Sequence, residues 1–173
     1  EGVYSRGWEQ LREDRFKNAK KVALISNEAE IAPQPAEFRT WSNLDKEEKY
    51  YYERAMMANA GMLENMDANI GRLIAYLKET ERFDNTIFII TSDNGPEFNH
   101  PTSSALFNVW RLANGYHDDP ARAGEYRSIT SIGPEWALAA ATPGNLFKFY
   151  ASEGSLRVPL IISGNGFLQD GFN

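Results

Sequence analysis

Cysteine is absent from the 173 residues, and long hydrophobic runs and basic tracts are absent as well. Without cysteine these residues contain no disulfide, no thiolate metal site and no cysteine nucleophile. No apolar run approaches the roughly 18–20 residues that cross a bilayer. The net charge is −6, and no basic stretch exceeds the short Lys17–Lys21 cluster, which disfavours binding to a phosphate backbone. We therefore expect neither nucleic acid nor membrane as a partner.

The chain has the size and composition of one folded domain. Its 42% hydrophobic and 13% aromatic residues separate it from disordered sequences. A first residue other than methionine, Glu1, leads us to expect a processed or partial chain. The start therefore does not decide the compartment, and we favour a periplasmic or secreted location over a cytoplasmic one.

Two helices are predicted in the first eighty residues. Apolar residues three or four positions apart predict one helix from Gly7 to about Lys21. Its inner face should consist of Trp8, Leu11, Arg12, Phe16 and Ala19. The proline-containing segment Ala29–Thr40 lacks such a period and is predicted to be a loop. Asp45 and Glu48 form a capping-box pattern that opens the second helix, whose apolar stripe should pack in the core. That stripe consists of Met62, Leu63, Met66, Ile70, Leu73, Ile74 and Leu77.

Two short apolar segments are predicted to be strands. Thr86–Thr91 is β-branched and apolar on both faces, which is typical of a strand buried on both sides in a parallel sheet. Val158–Ser163 is the second predicted strand. Between them, Pro96–Pro143 is rich in Gly, Pro, Asn and Ser and is predicted to be irregular, with Trp110 and Trp136 as packing anchors. A helix, a short turn and a buried strand in this order favour an α/β fold.

The tetrapeptide Ser-Asp-Asn-Gly that follows the first predicted strand has three interpretations. Asn-Gly favours a tight turn, although Pro96 and the lack of a following alternating strand oppose a hairpin. In open α/β sheets ligands gather beyond the carboxyl ends of strands, where the oxygens of Asp93 and Asn94 would suit Ca²⁺ or Mg²⁺.

The third interpretation is a two-metal site of the integrase type. Such a site needs an earlier aspartate on a strand and a glutamate on a downstream helix. Asp45 opens a helix instead, and the downstream acids Glu125 and Glu135 lie in a segment that we predict to be loop. The acidic net charge also opposes this interpretation.

Three stretches, in sequence order, carry a family resemblance: "GWEQLREDRF", "MLENMDANIGRLIAYLKETERFDNTIFIITSDNG" and "GPEWALAAATPGNLFKFYASEGSLRVPLII". Together they resemble the formylglycine-dependent sulfatases, in particular the bacterial arylsulfatase branch. The resemblance implies an alkaline-phosphatase-like three-layer α/β/α sandwich. Residues 1–173 would be a middle-to-late part of that catalytic domain, without its N-terminal nucleophile segment and its C-terminal subdomain. Phe167–Asn173 would begin a continuing segment.

The resemblance also implies roles for individual residues. Asp93 and Asn94 would be calcium ligands. Lys148 matches the lysine that contacts the sulfate ester, so it is the candidate catalytic and substrate-binding residue. The histidine that the family pattern has ahead of Ser-Asp-Asn-Gly is absent here. His100, which is closer in sequence to Asp93 than the other histidine, is therefore a candidate substrate contact by position alone, and the alternative is an ordinary loop residue. The turn that begins at Glu153 would be scaffold that aims Lys148, although Ser155 replaces a glycine of the family pattern.

The implied function is hydrolysis of a small-molecule or glycan sulfate ester, as in an arylsulfatase. The nucleophile motif Cys/Ser-x-Pro-Ser-Arg does not occur in these residues, so formylglycine is expected outside them. The 173 residues alone should be inactive and should need the remaining segments of the same protein as partners. Two alternatives stay open: a phosphodiesterase or phosphonate hydrolase of the same fold, or a non-catalytic piece with a structural or binding role.

Overall fold

The computed structural model describes residues 2–164. Within that range the chain forms five α-helices and two β-strands, joined by loops and 3₁₀ turns. They are α1 (Trp8–Lys21), α2 (Lys46–Glu79), β1 (Ile87–Thr91), α3 (Ala105–Ala113), α4 (Gly133–Ala141), α5 (Glu153–Leu156) and β2 (Leu160–Gly164). No helix in this part of the chain has the length and apolar character needed to cross a bilayer. The expected continuation at Phe167–Asn173 lies outside the described residues.

Helix α1 forms where the apolar period predicts it. All of the residues predicted for its inner face are buried. The helix follows Gly7, which has a φ of +87°, and a Cβ at that position would overlap the Trp41 ring. Glycine is therefore required there for both conformation and space. Segment Ala29–Thr40 contains no helix or strand, which confirms the predicted loop.

The core is an aromatic cluster that joins α1, the first half of α2 and α4. Trp8 packs edge-on against Trp41 and Trp136, with ring centroids 4.9 and 5.7 Å away. Such pairs stabilise a core by about 0.5–1.5 kcal/mol beyond the area they bury. Met56 of α2 completes the contact between the helices. Trp136 is fully buried, so its predicted role as a packing anchor is confirmed.

A buried carboxylate ties the loop before α2 to α4. Glu135 Oε1 accepts hydrogen bonds from the Nε and backbone N of Arg39, at 3.0 and 3.1 Å. The guanidinium also donates to Tyr52 at 2.9 Å and to Glu48 at 3.2 Å. The hydrogen bond to Glu135 raises the pKa of Arg39 against the opposing effect of burial. The interpretation of Glu135 as a loop residue is wrong, because it lies in the first turn of α4, beside Pro134, where proline is tolerated.

Helix α2 begins as predicted but does not bury its stripe. The Asp45 carboxylate accepts from the Glu48 backbone N at 2.8 Å, and the Glu48 carboxylate accepts from the Asp45 backbone N at 3.2 Å, completing the capping box. Ala55 and Met56 are the helix's only buried residues in the described chain. Four stripe residues are half or more exposed: Met62, Leu63, Met66 and Leu73. The prediction of core packing is therefore wrong for residues 2–164. Apolar periodicity identifies the face of a helix, but it does not supply the element that covers it.

The two strands pair with each other, with Ile89 opposite Ile162 in an antiparallel ladder. Ile87 and Ile89 are 54% and 65% exposed. The expectation that Thr86–Thr91 lies in a parallel sheet and is buried on both faces is thus wrong for the described residues. Its β-branched composition suits a fully covered sheet, whereas residues 2–164 supply one neighbouring strand and no covering helix.

Segment Pro96–Pro143 is less irregular than predicted, because it contains α3 and α4. Ser104 caps α3 by accepting from the Phe107 backbone N at 3.3 Å. Trp110 is 48% exposed and stacks on Phe107 and Tyr116, so its predicted role as a packing anchor is limited to this local stack outside the core. Both helices have nine residues, and the Gly and Pro residues around them conceal so short a period.

Candidate functional site

The loop that follows β1 is held in shape by its own polar groups. Ser92 Oγ donates to the Asn94 carbonyl at 2.8 Å, and Asn94 Nδ2 donates to the Gly95 carbonyl at 2.9 Å. The Asp93 side chain is exposed, and its carboxylate accepts no hydrogen bond from residues 2–164. The loop thus exposes a carboxylate that makes no hydrogen bond to residues 2–164.

Close backbone packing brings this loop against the turn at α5. Gly95 is buried, and its N–H donates to the Ser155 carbonyl at 3.0 Å. A Cβ on Gly95 would overlap the carbonyl oxygen of Gly154. Only a residue without a side chain permits this approach, so the glycine of the Ser-Asp-Asn-Gly motif is required for packing.

The turn at α5 also packs against the segment that leads to Lys148. The Gly154 N–H donates to the Asn145 carbonyl at 2.8 Å, and a Cβ on Gly154 would overlap the Leu146 carbonyl oxygen. Ser155, where the family pattern has a second glycine, does not adopt a positive φ. Serine at this position therefore causes no backbone strain, and the scaffold role expected for the turn agrees with these contacts.

Lys148 lies directly beside the motif loop. Its backbone N–H donates to the Pro96 carbonyl at 3.2 Å. Its ammonium contacts a carboxylate oxygen of Glu97 at 2.7 Å and lies 5.2 Å from the centre of the Phe149 ring. The structure therefore brings Lys148 to the same loop as Asp93, across more than fifty residues of sequence.

Glu97 is the residue of this site that the sequence interpretation missed. Its second carboxylate oxygen accepts from the backbone N–H groups of Phe98 and Asn99, at 3.0 and 2.9 Å. Partial burial alone would raise the pKa of Glu97. The hydrogen bonds from Lys148, Asn99 and Phe98 outweigh that effect and lower it. The sequence feature that could have identified Glu97 is an acidic residue two positions after the glycine of Ser-Asp-Asn-Gly.

His100 is engaged on both sides of its ring. Nδ1 lies 2.7 Å from the Thr102 hydroxyl and 3.2 Å from the Thr102 backbone N, and Nε2 contacts the Tyr51 hydroxyl at 2.9 Å. That hydroxyl also accepts from the Ser131 backbone N at 3.3 Å. Burial lowers the pKa of His100, Asp118 opposes this effect, and Arg111 adds to it. The ring therefore joins its own loop to α2, and its expected contact with substrate stays a prediction.

The oxygen donors of the motif suit a hard cation in kind but not in number. Asp93 offers a carboxylate, and Asn94 offers a carboxamide oxygen whose amide nitrogen is already bonded to Gly95. Calcium takes about 6–8 oxygen ligands. Among the residues that the structure describes, no three His, Asp or Glu side chains form a group that could hold a metal. These residues therefore supply part of a calcium site at most.

Comparison with known proteins gives consistent matches. The model of the sulfatase family matches residues 16–170. The chain is 35% identical over 164 residues to an uncharacterized sulfatase of Schizosaccharomyces pombe, covering 93% of this chain and 29% of that protein. It is 29% identical over 175 residues to an arylsulfatase of Klebsiella aerogenes, covering 98% of this chain and 36% of that enzyme. The chain thus spans about a third of the length of these curated relatives. The matches confirm the resemblance and the alkaline-phosphatase-like α/β class expected from the sequence.

Proposed function

Because this chain belongs to the sulfatase family, we propose that the protein containing it hydrolyses sulfate esters in the manner of an arylsulfatase. The observation that carries the proposal is the placement of Lys148 against the loop that bears Asp93 and Asn94. A cation fixed beside a loop of oxygen donors suits an anionic substrate, whose charge a metal and a lysine can share.

Asp93 and Asn94 are the residues that would hold calcium. Their loop is fixed by internal hydrogen bonds and by the buried Gly95, so the backbone that carries both side chains is placed before any ligand arrives. When bound, calcium would offset negative charge on the sulfate oxygens, while a formylglycine outside these residues would supply the nucleophile. The remaining ligands would come from segments beyond this chain.

Lys148 would act on the sulfate ester itself. Its ammonium has three N–H donors, of which the carboxylate of Glu97 occupies one. The other donors can stabilise negative charge that develops on transferred or leaving oxygens. Its side chain is 32% exposed, so it is accessible to a small molecule while still held by its neighbours.

The test compares an aryl sulfate with the matching aryl phosphate in the full-length protein. We expect hydrolysis of the sulfate ester and one bound calcium per chain by elemental analysis. Asp93→Ala should lose the calcium and lower kcat/KM by at least about a hundredfold, since the metal accounts for several kcal/mol of charge stabilisation. Asp67→Ala, which alters an exposed aspartate of α2, is the matched control and should retain both.

Each other outcome points to a definite alternative. Wild-type calcium content and activity in the Asp93→Ala protein would remove Asp93 from the metal site. Turnover of the phosphate ester alone would favour a phosphodiesterase or phosphonate hydrolase of the same fold. No turnover of either ester by the intact protein would favour a non-catalytic role.

A further inference from the structure

The carboxylate of Glu97 is held at both of its oxygens. One oxygen accepts from the Phe98 and Asn99 backbone N–H groups, and the other lies 2.7 Å from the Lys148 ammonium. The oxygen that accepts from Phe98 and Asn99 is bonded to backbone N–H groups, which do not rotate away as a second side chain would. The carboxylate is therefore a fixed point to which a long and flexible lysine side chain is attached.

Lys148 is held in two further ways, one of which is a backbone hydrogen bond to the same segment. Its backbone N–H donates to the Pro96 carbonyl at 3.2 Å, so main chain and side chain both attach residue 148 to the motif loop. The Phe149 ring lies 5.2 Å from the ammonium. The ammonium thus has a defined place between a carboxylate and an aromatic ring, beside the Asp93 loop.

We propose that Glu97 is a positioning residue that fixes the Lys148 ammonium for the reaction and partly balances its charge. The role rests on the proposed sulfate-ester hydrolysis. Fixing the ammonium places two free donors where charge develops in the transition state, which raises kcat. Balancing its charge weakens the hold on the sulfate anion, which eases release of the product.

Glu97→Gln separates this role from a merely structural one. Glutamine keeps a carbonyl oxygen for the Phe98 and Asn99 amides, so the turn should persist, but it removes the charge that holds Lys148. We expect kcat to fall about ten- to hundredfold, the cost of misplacing a reacting group by about 1 Å. Inorganic sulfate should bind about two- to fivefold more tightly, because the partly exposed carboxylate of Glu97 no longer offsets the positive charge of the Lys148 ammonium.

A measurement that needs no substrate tests the ion pair by itself. Wild-type and variant full-length proteins are treated with limiting acetic anhydride, and acetylation of each lysine is quantified by mass spectrometry. In Glu97→Gln the Lys148 amine should react about two- to fivefold faster, the ratio expected for loss of a partly exposed ion pair. Glu13→Gln removes the partner of Lys17 in an exposed pair of α1, at 3.3 Å, and should leave Lys148 unchanged.

The two readouts distinguish the possible failures. Unchanged acetylation of Lys148 in Glu97→Gln would overturn the positioning role, whatever the kinetics. An unchanged kcat, or a raised KM with kcat unchanged, would overturn it even if acetylation increases. Faster acetylation in a protein that does not hydrolyse sulfate esters would overturn the proposed function and the positioning role of Glu97 together, and would leave only the ion pair.

Discussion

The contact between Gly154 and the segment before Lys148 provides a sharp test of how the site is assembled. A Cβ at position 154 would overlap the Leu146 carbonyl oxygen and lie 2.7 Å from the Asn145 carbonyl oxygen. Both neighbours are main chain, so neither can turn aside as a flexible side chain would. Gly154 does not have a positive φ, so the effect of an alanine there would be steric.

The expected cost of Gly154→Ala follows from two contributions. Overpacking against fixed atoms costs about 1–3 kcal/mol. Separating the two segments also breaks the hydrogen bond from the Gly154 N–H to the Asn145 carbonyl, worth about 1 kcal/mol. We therefore expect a loss of about 2–4 kcal/mol in the free energy of unfolding. Since the displaced segment leads to Lys148, kcat/KM should fall as well.

The matched control is the same substitution at Gly61 of α2. A Cβ there would have no atom within 4 Å, and the position lies on the helix face opposite the apolar stripe. Alanine is favoured over glycine in a helix by about 1 kcal/mol, so Gly61→Ala should be neutral or stabilising.

The assay is urea unfolding of the full-length protein followed by far-ultraviolet circular dichroism, together with hydrolysis of an aryl sulfate. The urea midpoint should move down for Gly154→Ala and should stay or move up for Gly61→Ala. If both variants keep the wild-type midpoint and activity, the close backbone contact at Gly154 neither holds the site together nor positions Lys148.

Two further predictions concern His100 and the ion pair between Arg39 and Glu135. Burial lowers the pKa of His100, so the unfolded chain binds more protons below about pH 6.5 and stability should decrease as the pH falls through that region. His100→Asn should flatten this part of the curve of unfolding free energy against pH. An unchanged slope would show that His100 is not the group whose protonation causes the pH dependence. Arg39→Met should cost about 3 kcal/mol in urea unfolding, because it leaves the 3% exposed Glu135 without its partner. Arg122→Met, which breaks an exposed pair with Glu125 at 3.0 Å, should cost less than 1 kcal/mol. Equal losses in the two variants would show that burial of Glu135 does not matter.

Local signals determined much of this protein. The spacing of Trp8, Leu11 and Phe16 predicted both the extent of α1 and its buried face. The Asp45–Glu48 pattern predicted the capping box that begins α2. These features depend on residues within one or two turns of each other, and such interactions act wherever the segment lies. Ordered motif blocks, in the same way, were sufficient to indicate the family.

Features that depend on distant partners were not available from sequence patterns. Met66 and Ile89 belong to apolar faces that the sequence identifies, but their exposure in residues 2–164 depends on which elements lie against them. The nine-residue helices α3 and α4 were missed because two turns of periodic residues give too weak a pattern among Gly and Pro.

The candidate site likewise has features that the sequence indicates and features that only the packing of distant segments decides. Sequence alone indicated Asp93, Asn94 and Lys148, because each lies within a recognisable motif block. Tertiary structure decided that Lys148 meets the motif loop and that Glu97 is its ionic partner. An ion pair between residues fifty-one positions apart requires that the chain bring them within 3 Å, and here backbone contacts at Gly95 and Gly154 do so. A motif can specify which chemical groups are present, whereas their distance depends on the packing of the segments between them.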